Sequence, residues 1–433
     1  MGPGQNHAQP VSRSTVPSKD ARWSEAHKPA LTWAERRAAI GLAGIIALRT
    51  LGLFLIMPVF AIYAGELAGA TPLLIGLAIG AYGLTQALLQ IPFGVLSDRI
   101  GRKPVIYAGL ALFAVGSALA ASSDQILLVI IGRAIQGSGA IAAVVMALTA
   151  DLTREAVRIR AMAGIGVSVG LSFALALVLG PALAHWIGLD GLFWLTAGFA
   201  IVGIGVLAWV VPDARLPIVK RDAQPVPGQI WRVLRQPDLL RLDLSAFLLH
   251  AIMTSLFLVL PLALVAAGLA PARHWQVYLP VLLVALSLMV PLILLAERPG
   301  RTKAVLITAV LALGATLLGL LAWHATLLAL AGWLAILFTL FHLLEGVLPS
   351  LASKRVPSAL KGTAMGVYAM FQFSGVFIGG LVGGWLYQWQ GANGVLLACF
   401  AAALAWLGLV GSLRDGSSDP ERATAVEMGN ETA

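Results

Sequence analysis

The chain has 433 residues, of which 59% are hydrophobic and 11% are charged. Soluble domains carry about 25% charged residues, so this composition excludes a soluble protein of the same length. The 29 Lys and Arg exceed the 20 Asp and Glu and give a net charge of +9, but no basic run belongs to a soluble fold that could bind nucleic acid. The single cysteine, Cys399, excludes a disulfide framework and provides no metal-ligand spacing.

Apolar runs follow one another through most of the chain. A crossing of the bilayer needs about 20 apolar residues. Their length and uniformity predict helices rather than the short alternating strands of a membrane barrel. The sequence therefore predicts an all-α integral membrane protein with twelve transmembrane helices in two six-helix halves. The predicted spans are 38–63, 73–96, 104–122, 125–149, 159–186, 191–211, 239–266, 275–296, 303–322, 325–348, 362–388 and 391–413.

Polar segments separate these spans into domains. Residues 1–37 lack the apolar core of a secretory signal, and we expect a disordered cytoplasmic tail. Residues 212–238 are rich in Pro, Gln and basic residues and predict a cytoplasmic linker. The linker divides an N-terminal half at 38–211 from a C-terminal half at 239–413. Residues 414–433 predict a short cytoplasmic tail.

Basic residues indicate the orientation, because Lys and Arg in short loops stay on the cytoplasmic side. All 29 Lys and Arg residues except Arg49, Arg133 and Arg273 lie in the tails, in the linker or in loops on the same side of the membrane. We therefore expect both termini in the cytoplasm of a multi-pass protein of the plasma or bacterial inner membrane.

A weak internal repeat relates the two halves. The acidic and basic residues of 98–103, after the second span, are echoed at 297–303, after the eighth. The start of the fifth span at 160–164 is echoed at 362–366. In both cases the two similar segments are separated by nearly half the chain length. Transporters in which one half rocks against the other are built from such internal repeats.

The loop at 94–103 combines two glycines, an acid and three basic residues. A generic cytoplasmic loop accounts for the basic residues alone. The segment resembles the loop motif of Major Facilitator Superfamily transporters. That resemblance implies a conformational lock that holds the halves together on the cytoplasmic side and breaks when the protein opens inward. The predicted members of the lock are Gly94, Asp98, Arg99, Gly101 and Arg102, with Asp151 as the acid that Arg102 reaches.

Two arginines fall inside predicted spans, where a charge is expensive to bury. Arg133 opens the segment 133–140, which resembles the superfamily's R-x-x-Q-G-x-G-A element. The resemblance implies a role in proton coupling, for example by acting on a nearby carboxylic acid. The alternative is a structural Arg bonded to backbone carbonyls. Arg49, halfway along the first span, could attract an anionic group or pair with an acid.

The fifth span carries part of an antiporter pattern. Antiporters of this superfamily usually have a glycine-rich sequence that ends in G-P-x-x-G-G. Gly180 and Pro181 provide the bend, but Ala176 stands where Gly is expected, and Ala184 and His185 replace the last two glycines. Because the antiporter pattern is incomplete, the sequence does not exclude a symporter.

Further segments resemble the YajR-like group of drug:proton antiporters. They are 79–86, 90–94, 151–155 and 361–368, and the similarity extends over most of 45–413. YajR-like proteins commonly end in a small soluble domain. Because this chain continues only briefly past the last span, we expect that domain and its regulation to be missing.

Ionisable residues inside the spans are the candidates for proton coupling. His342 and Glu345 are three residues apart and share a helix face. We predict Glu345 as the proton carrier and His342 as its modulator, beside Arg49 and Arg133. The alternative places Glu345 near the inner end of its span, bonded to a loop.

Polar side chains at helical spacing predict a substrate cavity. The alternative is hydrogen bonding between helices. The rest of the predicted cavity wall is apolar, which favours an amphipathic solute over a sugar. The predicted cavity residues are Tyr82, Gln86, Gln90, Tyr368, Gln372 and His250.

These features predict a proton-coupled secondary transporter that exports a drug or amphipathic small molecule by alternating access. The alternatives are a proton symporter that imports a small metabolite and a non-transporting receptor on a transporter scaffold. No catalytic or metal-ligand grouping is present in the sequence, so we expect neither an enzyme nor a cofactor nor a metal. The expected partners are the substrate, protons and the bilayer, with no nucleic acid, and the expected state is a monomer.

Overall fold

The computed structural model describes residues 30–213, 227–322, 326–357 and 360–413. Within these ranges the regular structure is helical, apart from one bridge between Ala68 and Gln125. Most of the predicted N-terminal tail, the predicted C-terminal tail and residues 214–226 of the linker lie outside the described residues.

Twelve α-helices are present in the described ranges. Ten helical segments are long and apolar enough to span a membrane, with α4 and α5 counted together as one. In chain order the helices are α1 (Trp33–Tyr63), α2 (Pro72–Ile100), α3 (Arg102–Ala121), α4 (Ile126–Ser138), α5 (Ala142–Asp151), α6 (Glu155–Trp209), α7 (Pro227–Leu234), α8 (Pro237–Ala266), α9 (Trp275–Ala296), α10 (Thr302–Ala322), α11 (Leu327–Lys354) and α12 (Lys361–Gly411).

Two helices are too long for a single crossing. Helix α6 has 55 residues and α12 has 51, whereas a bilayer core takes about 20 helical residues. Each is interrupted by a glycine with a positive φ, Gly188 at 68° and Gly391 at 64°. Gly188 lies between the predicted spans 159–186 and 191–211, and Gly391 is the first residue of the predicted span 391–413, so the two breaks support the predicted count of twelve.

Helix α1 begins inside the segment predicted as a tail. Thr32 and Glu35 form a capping box, in which the Glu35 carboxylate accepts the Thr32 backbone N–H at 2.8 Å. Glu35 also accepts two hydrogen bonds from the side chain of Arg154, at 2.8 and 3.0 Å. These bonds raise the pKa of the Arg154 guanidinium and tie the start of α1 to the loop before α6.

Two other boundaries differ from the prediction. The predicted linker contains α7, whose apolar side chains pack with Leu239 and Leu360 of the C-terminal half. The predicted fourth span is broken between α4 and α5, where the backbone of Gly139 leaves the helical region (ψ 54°).

The two faces of the helix bundle are named here from α1. The near side is the face on which α1 begins, and the far side is the opposite face. Because successive spans alternate in direction, α8 and α12 also begin on the near side, α2 begins on the far side, and α11 ends on the near side.

The two halves make backbone contact through α2 and α12 toward the far side. A Cβ added at Gly76 would overlap the carbonyl oxygen of Gly380, and one at Gly80 would lie 2.8 Å from that of Phe377. Toward the near side the contact is looser, since a Cβ at Gly366 would meet Ile91 at 3.8 Å. Small residues therefore set a close helix crossing on the far side.

Candidate functional site

Arg49 lies in a polar core inside the N-terminal half and is 6% exposed. Its Nη2 donates to the Tyr82 hydroxyl at 2.8 Å, to Gln86 Oε1 at 2.8 Å and to the Gly139 carbonyl at 3.0 Å. The Gly139 carbonyl marks the break between α4 and α5 and also accepts the Ile141 N–H at 2.9 Å. Arg49 thus joins α1 and α2 to a helix break inside the hydrophobic region, where polar backbone groups need partners.

Arg133 lies beside this core and is 2% exposed. Its Nη1 donates to Gln136 Oε1 at 2.6 Å and its Nε donates to the Ala78 carbonyl at 3.3 Å. The guanidinium lies 5.2 Å from the centre of the Tyr82 ring, a cation–π distance. Among the described residues, the hydrogen-bond partners of Arg49 and Arg133 contain no carboxylate.

The three predicted cavity residues of α2 belong to the same polar core. Tyr82, Gln86 and Gln90 are all buried. Gln86 donates to Gln90 Oε1 at 3.0 Å, which continues the chain of hydrogen bonds from Arg49. The Tyr82 ring also reaches across to the other half, 6.4 Å from the ring of Phe373 on α12. These contacts are those of helix-to-helix bonding, with Tyr82 at the border between the halves.

A second polar cluster lies in the C-terminal half and contains a carboxyl group. Gln372 on α12 donates to Glu345 Oε1 on α11 at 3.0 Å. His250 on α8 lies between them, with its Nε2 2.8 Å from Gln372 Nε2 and 3.4 Å from Glu345 Oε2. The structure therefore brings three of the predicted site residues together from three helices.

The hydrogen bonds of His250 select one form of its ring. Its Nδ1 lies 2.9 Å from the Ala246 carbonyl, which can only accept, so Nδ1 carries a hydrogen. In the neutral ring Nε2 is then an acceptor and faces Gln372 and Glu345. The Glu345 side chain is 37% exposed, but its Oε2 atom is covered and has no hydrogen-bond partner. A proton at this atom would point toward Nε2.

His342 has different neighbours from Glu345. Its Nδ1 lies 2.6 Å from the Phe338 carbonyl, and its ring packs 5.6 Å from the ring of Phe173 on α6. The imidazole thus faces an aromatic group that bridges the two halves. His250 is the imidazole beside Glu345, and helical spacing could not identify it because the two residues belong to different helices.

The predicted lock residues gather at the near side of the N-terminal half. Arg102 pairs with Asp98 and donates to Asp151 Oδ2 at 3.3 Å and to Ser97 Oγ at 2.6 Å. Among the described residues, these partners all belong to the N-terminal half. Gly101 has a φ of 98° between α2 and α3, which an L-residue adopts only with strain. Arg99 is exposed, and a Cβ at Gly94 would meet nothing within 4 Å.

Comparison with known proteins assigns the family. Residues 42–380 match the sequence model of the Major Facilitator Superfamily. The chain belongs to the Major Facilitator Superfamily. With ten apolar helical segments among its described residues, it is a multi-pass membrane transporter rather than an enzyme.

Relatives within the superfamily differ in how much of their function is named. The inner membrane transport protein YajR of Escherichia coli is 47% identical over 385 residues, which cover 89% of this chain and 85% of YajR. The multidrug resistance protein MdtH of Yersinia pestis is 26% identical, over 78% of this chain and 84% of MdtH. Among solved structures, a D-xylose–proton symporter superposes with a TM-score of 0.69 at 16% identity, over 88% of this chain and 98% of the symporter.

The predicted bend of this superfamily member lies where α6 approaches α1. A Cβ at Gly180 would overlap the carbonyl oxygen of Leu55 and lie 3.1 Å from Pro58. Gly180 and Pro181 are buried. The pair therefore permits the close approach of two proline-containing helices, whatever the direction of transport.

Proposed function

We propose that this transporter exports an amphipathic small molecule in exchange for protons, by alternating access, and that Glu345 carries the proton. The observation that supports this proposal is the contact of Glu345 with His250 and Gln372. An ionised carboxylate is costly inside a membrane unless a cation pairs with it. Glu345 faces a histidine, which becomes a cation only when it takes up a proton itself.

The cluster offers two positions for one proton. With the proton on Glu345 Oε2, both side chains are neutral. With the proton on His250 Nε2, the carboxylate faces an imidazolium. Because the two residues lie on α8 and α11, a change in the packing of these helices alters their separation of 3.4 Å and thereby the preferred position of the proton.

The aromatic side chains beside the cluster support an amphipathic substrate. Phe173 of the N-terminal half and Phe341 of the C-terminal half both pack against His342, at 5.6 and 5.5 Å. Aromatic faces attract organic cations as well as apolar groups. The name of MdtH, a multidrug resistance protein, is consistent with such a substrate, and the name of YajR is consistent with the inner membrane.

The near side is the cytoplasmic side in this proposal, because nearly all Lys and Arg of the loops lie there. The Arg102 cluster then acts as the cytoplasmic lock. In the present arrangement its described partners lie within one half, and locking would require a further contact with α12 when the near side closes.

Everted membrane vesicles test the proposal. With the vesicle interior made acidic, ethidium and related amphipathic dyes are added outside, and proton release is followed with a pH-sensitive fluorophore. An exchanged dye dissipates the gradient, whereas the substrate of a symporter does not. We expect dissipation in the wild type and its loss in Glu345→Gln.

The matched control is Glu66→Gln, the same change at an exposed turn on the far side. It should behave as the wild type. Dye-driven proton release by Glu345→Gln at the wild-type rate would exclude Glu345 as the carrier.

A further inference from the structure

Among the described residues of the C-terminal half, three buried side-chain oxygen atoms lack a hydrogen-bond partner. They are Asp243 Oδ2, Glu345 Oε2 and the Tyr368 hydroxyl. Asp243 is 2% exposed and Tyr368 is 3% exposed. Buried polar groups are nearly always paired, so unpaired ones in one region call for an explanation.

Three helices contribute these atoms. Asp243 lies on α8, Glu345 on α11 and Tyr368 on α12. None of the three oxygen atoms has a hydrogen-bond partner among the described residues, so the phenol pairs with neither carboxyl group. Asp243 and Glu345 are therefore two separate carboxyl groups, each with an unpaired oxygen.

The three residues form a series that leads inward from the near side. A helix rises about 1.5 Å per residue, so Asp243 lies about 9 Å along α8 from its near-side start, Tyr368 about 10 Å along α12, and Glu345 about 14 Å from the near-side end of α11. His250 lies deeper, about 20 Å along α8. Asp243 is thus the carboxyl nearer the near-side surface.

Among the described residues, no cation pairs with Asp243. On its own helix, Arg241 donates to Asp238 at 2.7 Å, and Arg355 at the end of α11 lies 3.7 Å from the same Asp238. Arg49 lies on α1, a helix of the other half that packs against α8, and it bonds within its own half. Within the described residues, no basic group lies within 4.0 Å of the Asp243 carboxyl group.

We propose that Asp243 is a second proton-binding site, separate from Glu345 and nearer the near-side surface. A buried carboxyl group without a cation is stable in its neutral, protonated form. The proposal rests on the proton coupling proposed for Glu345 and adds a second carboxyl group that takes up a proton from the near side.

Infrared difference spectroscopy detects this site without any substrate. The purified full-length protein in lipid is taken from alkaline to acidic buffer, and the carbonyl band of protonated carboxyl groups is recorded. We expect contributions from the carboxyl groups of Asp243 and Glu345, with Asp243→Asn and Glu345→Gln each removing one. Asp238→Asn, which changes an arginine-paired acid one turn away, should leave both bands.

A further variant protects the test. Asp243→Glu keeps a carboxyl group and should restore a band at a shifted frequency if Asp243→Asn folds poorly. A carbonyl band in Asp243→Asn identical to that of the wild type, or the absence of a restored band in Asp243→Glu, would overturn the site.

The two proposals fail separately. If Glu345→Gln leaves the spectrum unchanged, the carrier role of Glu345 fails. The proton site at Asp243 is judged by its own band.

Discussion

His250 Nε2 on α8 lies 3.4 Å from Glu345 Oε2 on α11. A glutamine at position 250 keeps a hydrogen-bonding side chain but cannot take up a proton. We therefore expect His250→Gln to lower dye-driven proton release in everted vesicles by about 5-fold or more, the lower end of typical coupling between two sites.

The control for this change is His185→Gln, at an exposed position near the far-side end of the first segment of α6. Its proton release should equal that of the wild type. If His250→Gln also released protons at the wild-type rate, the imidazole would not share the proton of Glu345.

The close crossing of α2 and α12 predicts a block when one glycine is enlarged. In Gly380→Val the added side chain would overlap the Gly76 carbonyl, so the far side could not close as it does here. We expect transport to be lost and the far side to become accessible. The chain suits a labelling test, because its single cysteine, Cys399, is buried.

The measurement introduces Leu73→Cys at the far-side start of α2 and follows its modification by a membrane-impermeant maleimide. Labelling should be faster with Gly380→Val than without it. Gly408→Val, on the same helix where an added Cβ meets nothing within 4 Å, is the control and should leave labelling and transport unchanged. Slow labelling in both variants would contradict the role given to this crossing.

The success of sequence-based prediction depended on whether one helix or several determined the feature. Apolar runs predicted the helices, because a backbone in hydrocarbon must satisfy its hydrogen bonds within the segment. Contacts between helices cannot be predicted from residue spacing along one helix. The spacing pointed to His342, on the same helix face as Glu345, whereas the structure places His250 of α8 beside Glu345. The break at Gly139 was also missed, since its signal is a glycine within an apolar run.

The acceptors around Arg49 predict a structural cost for its removal. Arg49→Met would leave the Tyr82 hydroxyl and Gln86 Oε1 without their donor in a buried core. An unpaired buried polar group costs about 1–3 kcal/mol. We expect a clear fall in the thermal unfolding temperature of the purified protein in detergent, and a smaller fall in Tyr82→Phe, which removes one acceptor together with its need for a donor. Wild-type stability of Arg49→Met would show that these bonds contribute little.

Arg102 and Arg99 allow the near-side cluster to be tested with identical changes three residues apart. Arg102 pairs with Asp98 and Asp151, whereas Arg99 is exposed. Arg102→Ala would leave two carboxylates close together without their common cation, which favours their separation. We expect it to abolish transport while the amount of protein inserted in the membrane stays at the wild-type level. Arg99→Ala should retain both transport and the wild-type amount of inserted protein. Equal transport by the two variants would exclude a specific lock and leave only the contribution of positive charge to orientation.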